Sequence, residues 1–230
     1  MKNSRNRPAN GFTLVELLVV IAIIAALVAI SATATMRFRA SADRTATLGA
    51  LRQFQMANIS YASDNGGSFA PPEAKQVDPN GVETGVTYKW FENPDFIGHL
   101  KGHAATFSGS GEPDVSLPVG LMDAAVIRKK SAKNTTLENC FGYTTPASSA
   151  GMRQARVSSP GDSAAFITCD KAFIEHSTKT DIAYRHQDKA LVVYYDGRAA
   201  AINKADIARI DSNGGASNPF WKADSDQPAP

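Results

Sequence analysis

Proline is absent from this chain between Pro8 and Pro71, and glycine occurs only once between Phe12 and Ser63, at Gly49. That stretch therefore holds almost nothing that breaks a helix. Cysteine is scarce, with Cys140 and Cys169 the only two in 230 residues. They allow one disulfide at most. That bridge and a pair of buried free thiols both stay open, because sequence does not supply the geometry of a bridge. A charge excess is lacking too: 24 basic and 22 acidic residues give a formal net charge of +2. Lys2, Arg5 and Arg7 lie in residues 1–11, which contain no acid; without these three the count is 21 against 22, a net of −1. A near-neutral body excludes a large nucleic-acid footprint, which needs clustered cations. Catalytic signatures are missing as well. Ser158-Ser159 and Ser108-Gly109-Ser110 lack the Gly-x-Ser-x-Gly setting of a nucleophile elbow. Gly109-Ser110-Gly111 is not followed by the Lys-Ser/Thr of a phosphate loop.

What is present is a long apolar run. Leu17 to Ile30 is fourteen consecutive apolar residues, and the run from Phe12 to Ala34 is interrupted only by Thr13, Glu16, Ser31 and Thr33. About 20 apolar helical residues cross a bilayer core about 30 Å thick. The basic residues ahead of the run are a topology signal that keeps the leader in the cytoplasm and exports the rest. Glu16 is the anomaly. A carboxylate near the bilayer is costly and signals a function with a partner, and the run itself offers nothing evident to neutralise it.

From Phe12 to about Ser63 helix formers dominate, first apolar all round, then amphipathic, with Leu48, Leu51, Gln55 and Ile59 at helical spacing. One helix of about 50 residues fits. Its stop signal is Ser63-Asp64-Asn65-Gly66-Gly67, then Pro71-Pro72. Residues 65–135 are rich in Gly, Pro and short polar runs, with Val86–Phe91 strand-like and Leu121–Lys133 a short helix. Beyond them the pattern turns β, with strands expected at Cys140–Thr144, Ser163–Cys169, Ala190–Tyr195 and Arg198–Ile202. Asp196-Gly197 between the last two reads as a hairpin turn with both residues at positive φ. The tail from Ser212, with Phe220-Trp221 inside it, reads as a loop or flexible end.

The sequence Gly11-Phe12-Thr13-Leu14-Val15-Glu16, behind a short basic leader and ahead of the apolar helix, resembles the N-terminal signature of type IV prepilins and type II secretion pseudopilins. An ordinary secretory signal is cut after its apolar run; here the glycine lies before it. The resemblance implies an α+β, pilin-like fold: a long N-terminal helix, membrane-spanning in its first half, packed on a small antiparallel β-sheet head. It implies residues 1–11 as a cytoplasmic leader, 12–64 as the long helix with 12–34 as transmembrane and assembly segment, and 65–230 as an exported head. It also implies cleavage after Gly11 by a prepilin peptidase and N-methylation of Phe12. Glu16 would pair with the Phe12 amine of a neighbouring identical or related subunit. The other implied partners are an inner-membrane assembly platform and the lipid bilayer, with the head in the periplasm and no enzyme activity. A second resemblance, to the same kind of protein, is the element His186, nine residues, Asp196-Gly197 in RHQDKALVVYYDG. A structural role for these three and a metal or partner site are the alternatives; one His and one Asp are few ligands for a metal.

Other candidates are weaker. His99 and His103 are four apart, but Gly98 and Gly102 argue against the helix that a zinc pair needs. Glu175 and His176 read as loop residues. Asp206, Asp211, Asp224 and Asp226 lie in or near a Gly/Asn-rich tail, and related pseudopilins hold calcium in such a loop, but the spacing is not that of an EF-hand. No cofactor is expected. Tyr194-Tyr195 and Trp90-Phe91 read as core.

Overall fold

The computed structural model describes residues 13–77, 80–100, 106–107, 113–114, 119–130, 140–144, 153–154, 157, 159–174 and 176–221. They fall into two compact units, within Met1–Ser41 and within Ala42–Pro230. The first helix, α1, runs Leu14–Asp64, close to its expected bounds. It ends where Gly66 and Gly67 both take positive φ and the Gly67 N–H reaches back to the Ala62 carbonyl at 2.7 Å, closing the last turn.

The elements that follow are β1 (Glu73–Val77), β2 (Glu83–Lys89), α2 (Pro94–Gly98), β3 (Thr106–Phe107), β4 (Pro113–Asp114), α3 (Ala124–Lys130), β5 (Phe141–Tyr143), β6 (Ala164–Thr168), β7 (Ala190–Tyr194), β8 (Ala199–Ile202) and α4 (Lys204–Ser212). Strands β1 and β2 form one antiparallel pair, β3 and β4 another, and β5-β6-β7-β8 an antiparallel sheet in that order. The architecture is α+β, as expected.

The head portion of α1 buries Thr47, Ala50, Leu51, Phe54, Gln55, Ala57, Asn58, Tyr61 and Ala62. This face packs with Phe141, Tyr143, Phe166, Leu191 and Val193, from one face of the sheet. Phe54 sits edge-on to Trp90 at 5.4 Å and to Phe141 at 5.6 Å, while Tyr143 stacks on Phe166 at 4.6 Å. Two side-chain amides of this interface find partners across it, while Gln55 Oε1 is buried without a hydrogen bond. Gln55 Nε2 donates to the Tyr195 carbonyl at 2.8 Å, and Asn58 Nδ2 donates to Tyr143 Oη at 3.1 Å. Burying an amide without such a bond costs about 1–3 kcal/mol.

Several expectations change. Trp90 and Phe91 leave the strand: β2 stops at Lys89, and Trp90 Nε1 donates to the Ala172 carbonyl at 2.8 Å inside the aromatic core. The tail is not loose as far as Trp221. Asn203 and Asp206 form a reciprocal capping box that starts α4, and Phe220 and Trp221 are buried with Ile167, Val192 and Ile207 on the other face of the sheet. The β7–β8 hairpin exists, but its turn differs. Gly197 alone has positive φ there, 85°, and the Gly197 N–H bonds the Tyr194 carbonyl at 2.9 Å. Asp196 thus sits in an ordinary turn position, and the glycine takes the left-handed one that a side chain disfavours. Two successive non-glycine residues with positive φ occur instead at Gln187 (55°) and Asp188 (60°), in a turn closed by His186–Lys189 backbone bonds at 3.1 and 3.2 Å. Left-handed backbone costs a non-glycine residue on the order of 1 kcal/mol. Gln187→Gly is expected to raise stability by about 0.5 kcal/mol after the added unfolded-chain entropy is set against it, read as a higher midpoint in urea with unchanged slope.

Cys140 and Cys169 are free and fully buried, which corrects the disulfide alternative. They flank β5 and β6, where the Cys169 N–H donates to the Cys140 carbonyl at 3.3 Å. The Cys169 thiol instead engages the Lys171 carbonyl at 2.7 Å. Burial pushes the Cys140 thiol up to about 11 and the Cys169 thiol up to about 12, so both stay protonated at neutral pH. A Cβ at Gly142 would lie 2.4 Å from Cys169 Sγ and 3.0 Å from the Lys171 carbonyl. Gly142→Ala is therefore expected to destabilise the head by about 1–3 kcal/mol. Thermal unfolding tests this, and adding Cys169→Ala should recover part of the loss by removing the nearer contact.

Candidate functional site

The first unit presents an apolar cylinder. Every large hydrophobic side chain from Leu14 to Ile30 is exposed, from 44% at Val20 to 80% at Leu14. Soluble monomers rarely expose so much contiguous apolar surface, so this helix needs lipid or protein around it. Its length and composition suit a membrane span.

Glu16 opens this cylinder, and the structure supplies a local partner that the sequence reading lacked. Thr13 N–H and Thr13 Oγ1 both donate to Glu16 Oε2 at 2.8 Å, and the Glu16 N–H donates back to Thr13 Oγ1 at 3.3 Å. This is a reciprocal N-terminal cap, with the acid also placed at the positive end of the helix dipole. The Thr13-Leu14-Val15-Glu16 spacing was the available signal. Both bonds reach one carboxylate oxygen, so Oε1 keeps capacity for another donor. Gly11 and Phe12 lie outside the described residues.

The C-terminal element does not come together as one site. Asp196 stays at the β7–β8 turn, where its Oδ1 accepts from the Arg198 N–H at 2.8 Å. His186 turns instead to Asp123, a residue the sequence reading missed. Its Nε2 lies 3.1 Å from Asp123 Oδ1, and both side chains are buried. The same Asp123 oxygen accepts the Ala125 N–H at 2.9 Å and the Thr47 hydroxyl at 3.4 Å. Asp123 Oδ2 is buried without a hydrogen bond and faces Arg185 Nη1 at 3.5 Å. Burial alone would raise the Asp123 carboxyl. The His186 hydrogen bond, the charges of Arg185 and His186 and the Ala125 N–H outweigh burial and hold it below the ordinary value. No local pattern marks Asp123, because its partners lie on α1 and on the 185–189 turn. This cluster ties three segments together.

The remaining candidates are dispersed. His99 Nδ1 lies 3.1 Å from Ser60 Oγ, with Nε2 3.8 Å from Asp64. The imidazole thus sits against the last turns of α1. His103, Glu175, Asp224, Asp226 and the His176 side chain lie outside the described residues. Asp206 belongs to the cap of α4, and Asp211 pairs with Lys179 at 2.8 Å. Among the described residues no three His, Cys, Asp or Glu side chains are grouped to hold a metal.

No curated protein and no solved structure matches this chain. Residues 6–32 match the family model described as the prokaryotic N-terminal methylation motif. That match spans the end of the leader from Asn6, Gly11, Phe12, the Thr13–Glu16 cap and the apolar cylinder as far as residue 32. The family it defines is structural. This chain therefore carries the N-terminal signature of a processed, membrane-anchored protein of the type IV prepilin and pseudopilin kind.

Proposed function

We propose that the chain is a structural subunit of a type II secretion pseudopilus or type IV pilus-like fibre, and not an enzyme. It is made as a single-pass inner-membrane precursor, with residues 1–11 in the cytoplasm and the head in the periplasm. A separate prepilin peptidase cuts after Gly11, and Phe12 is N-methylated. The mature subunit polymerises through residues 12–34 on an inner-membrane assembly platform. The observation that carries this reading is Glu16: a carboxylate with one oxygen left over, at the end of a helix that is otherwise apolar all round. The new amine at Phe12 of a neighbouring subunit supplies the missing donor. Pairing relieves two charges that are each costly in low dielectric and sets the axial register. The absence of a helix-bending proline between Pro8 and Pro71 favours the pseudopilus over an extended pilus.

Mass spectrometry of the N-terminal peptide, from membranes and from sheared surface material, tests this. A peptide beginning at N-methylated Phe12 is expected. Its presence in the sheared fraction assigns an extended pilus; its restriction to the envelope assigns a pseudopilus. An intact Met1 terminus in every fraction overturns the reading and leaves a membrane-anchored binding module that does not polymerise.

A further inference from the structure

The apolar cylinder has an end that the assembly reading does not use. From Leu14 to Thr35 an α-helix rises about 33 Å, at about 1.5 Å per residue, close to the hydrocarbon thickness of a bilayer. The next four residues are Met36, Arg37, Phe38 and Arg39. Successive helical residues are about 100° apart, so these four point to four sides of the helix and ring it once. Met36 is 72% exposed and Phe38 75%, on opposite sides, and both arginines are exposed between them. Neither arginine has a hydrogen bond or ion pair within its own unit among the described residues. The next acid after Glu16 in the chain is Asp43, which is already paired with Arg128.

We propose that Arg37 and Arg39 bind the phosphates of anionic phospholipids in the outer leaflet of the inner membrane, and that residues 36–39 form an axial stop. This rests on the membrane-anchored reading. A guanidinium fork matches a phosphodiester, and its aliphatic stem covers apolar surface on the way to the headgroups. Phe38 and Met36 sit at the acyl boundary on the other two sides. Leader cleavage removes Lys2, Arg5 and Arg7, so in the mature subunit the cationic side chains nearest the span are on the head side, and the other end carries only the Phe12 amine. The two ends of the helix then oppose movement in different directions. Glu16 resists being drawn outward through hydrocarbon, and the arginines resist being pushed inward, since either charge is disfavoured there. Extraction toward the head leaves the arginine end free and is opposed at Glu16 and the Phe12 amine, the two groups that neighbouring subunits can neutralise.

The test places a spin label at Phe38→Cys in the full chain, in vesicles of phosphatidylcholine alone and of phosphatidylcholine with phosphatidylglycerol. The native thiols are buried, so the introduced one takes the label. Depth is read from oxygen and nickel-chelate accessibility, with Ile24→Cys as the reference for the bilayer interior. The label is expected at headgroup depth when phosphatidylglycerol is present. In the double variant Arg37→Gln, Arg39→Gln it is expected to sink by about one helical turn, roughly 5 Å, and to lose its dependence on lipid charge. A depth that ignores both lipid charge and the double variant overturns the proposal. So does a depth that follows protein-to-lipid ratio, which would assign the arginines to a second copy of the chain. An Ile24→Cys label exposed to water would instead sink the membrane-anchored reading itself.

Discussion

Glu16→Ala is expected to leave the precursor inserted and cut after Gly11, yet to remove assembled fibre almost entirely. In the proposed pairing the Phe12 amine of one subunit loses its only counter-charge in a low-dielectric setting. Removing one partner of such a pair costs about 3 kcal/mol or more, a loss on the order of a hundredfold in subunit affinity. The Thr13–Glu16 cap complicates this, because alanine also removes a helix cap worth about 1 kcal/mol. Two further variants separate the effects. Glu16→Gln keeps an oxygen to accept from Thr13 N–H and Oγ1 but carries no charge. Thr13→Val keeps the charge and removes the hydroxyl. If the charge pair governs assembly, Glu16→Gln fails as Glu16→Ala does, and Thr13→Val loses only severalfold. If the cap governs it, the order reverses. Fibre in the sheared or crosslinked fraction, normalised to processed subunit in membranes, reads the difference.

What the sequence made legible follows the range of the forces involved. The bounds of α1 could be read because helix-breaking residues, Gly49 apart, are absent from Phe12 to Ser63 and clustered after it, and β6, β7 and β8 because β-rich runs lie between turn residues. The cap at Thr13 was readable in principle by the same spacing rule that marks Asn203 and Asp206 at α4; the tail's Asn, Gly and Asp content drew attention from that short helix. Trp90 could not be placed from local pattern, since its indole is drawn out of the strand by a carbonyl 82 residues away. The Gln187-Asp188 turn was hidden for another reason. Neither residue is a strong left-handed former, and the His186–Lys189 bonds that impose it belong to tertiary context. Asp196-Gly197 offered the stronger local signal and received the less demanding turn. His186 stood out in the sequence through its spacing to Asp196, but its partner Asp123 lies 63 residues away with no motif around it.

Asp123 is where the second large effect is expected, on stability instead of assembly. Asp123→Ala leaves the part-buried Arg185 beside a vacated carboxylate position and takes partners from His186, Thr47 and the Ala125 N–H. Losing one member of a buried charged cluster costs about 3–5 kcal/mol, which for a chain of this size lowers the thermal midpoint by roughly 10 °C. Asp123→Asn keeps the shape and one acceptor oxygen and is expected to lose less. The pH dependence identifies the cause. Asp123 has its carboxyl held below the ordinary value in the folded chain, so it binds a proton less readily folded than unfolded. Its contribution is then fully present above the unfolded carboxyl value of about 4 and is lost as pH falls through the lower folded value. The gap in thermal midpoint between the natural chain and Asp123→Asn should stay level from neutral pH down to about pH 5 and close below about pH 4. A gap that persists unchanged into acid would mean that packing around Asp123, not its charge, holds α1, the segment before α3 and the 185–189 turn together. A gap that closes would make this cluster the electrostatic tie that fixes the head to its helix, with His186 serving stability and not a ligand.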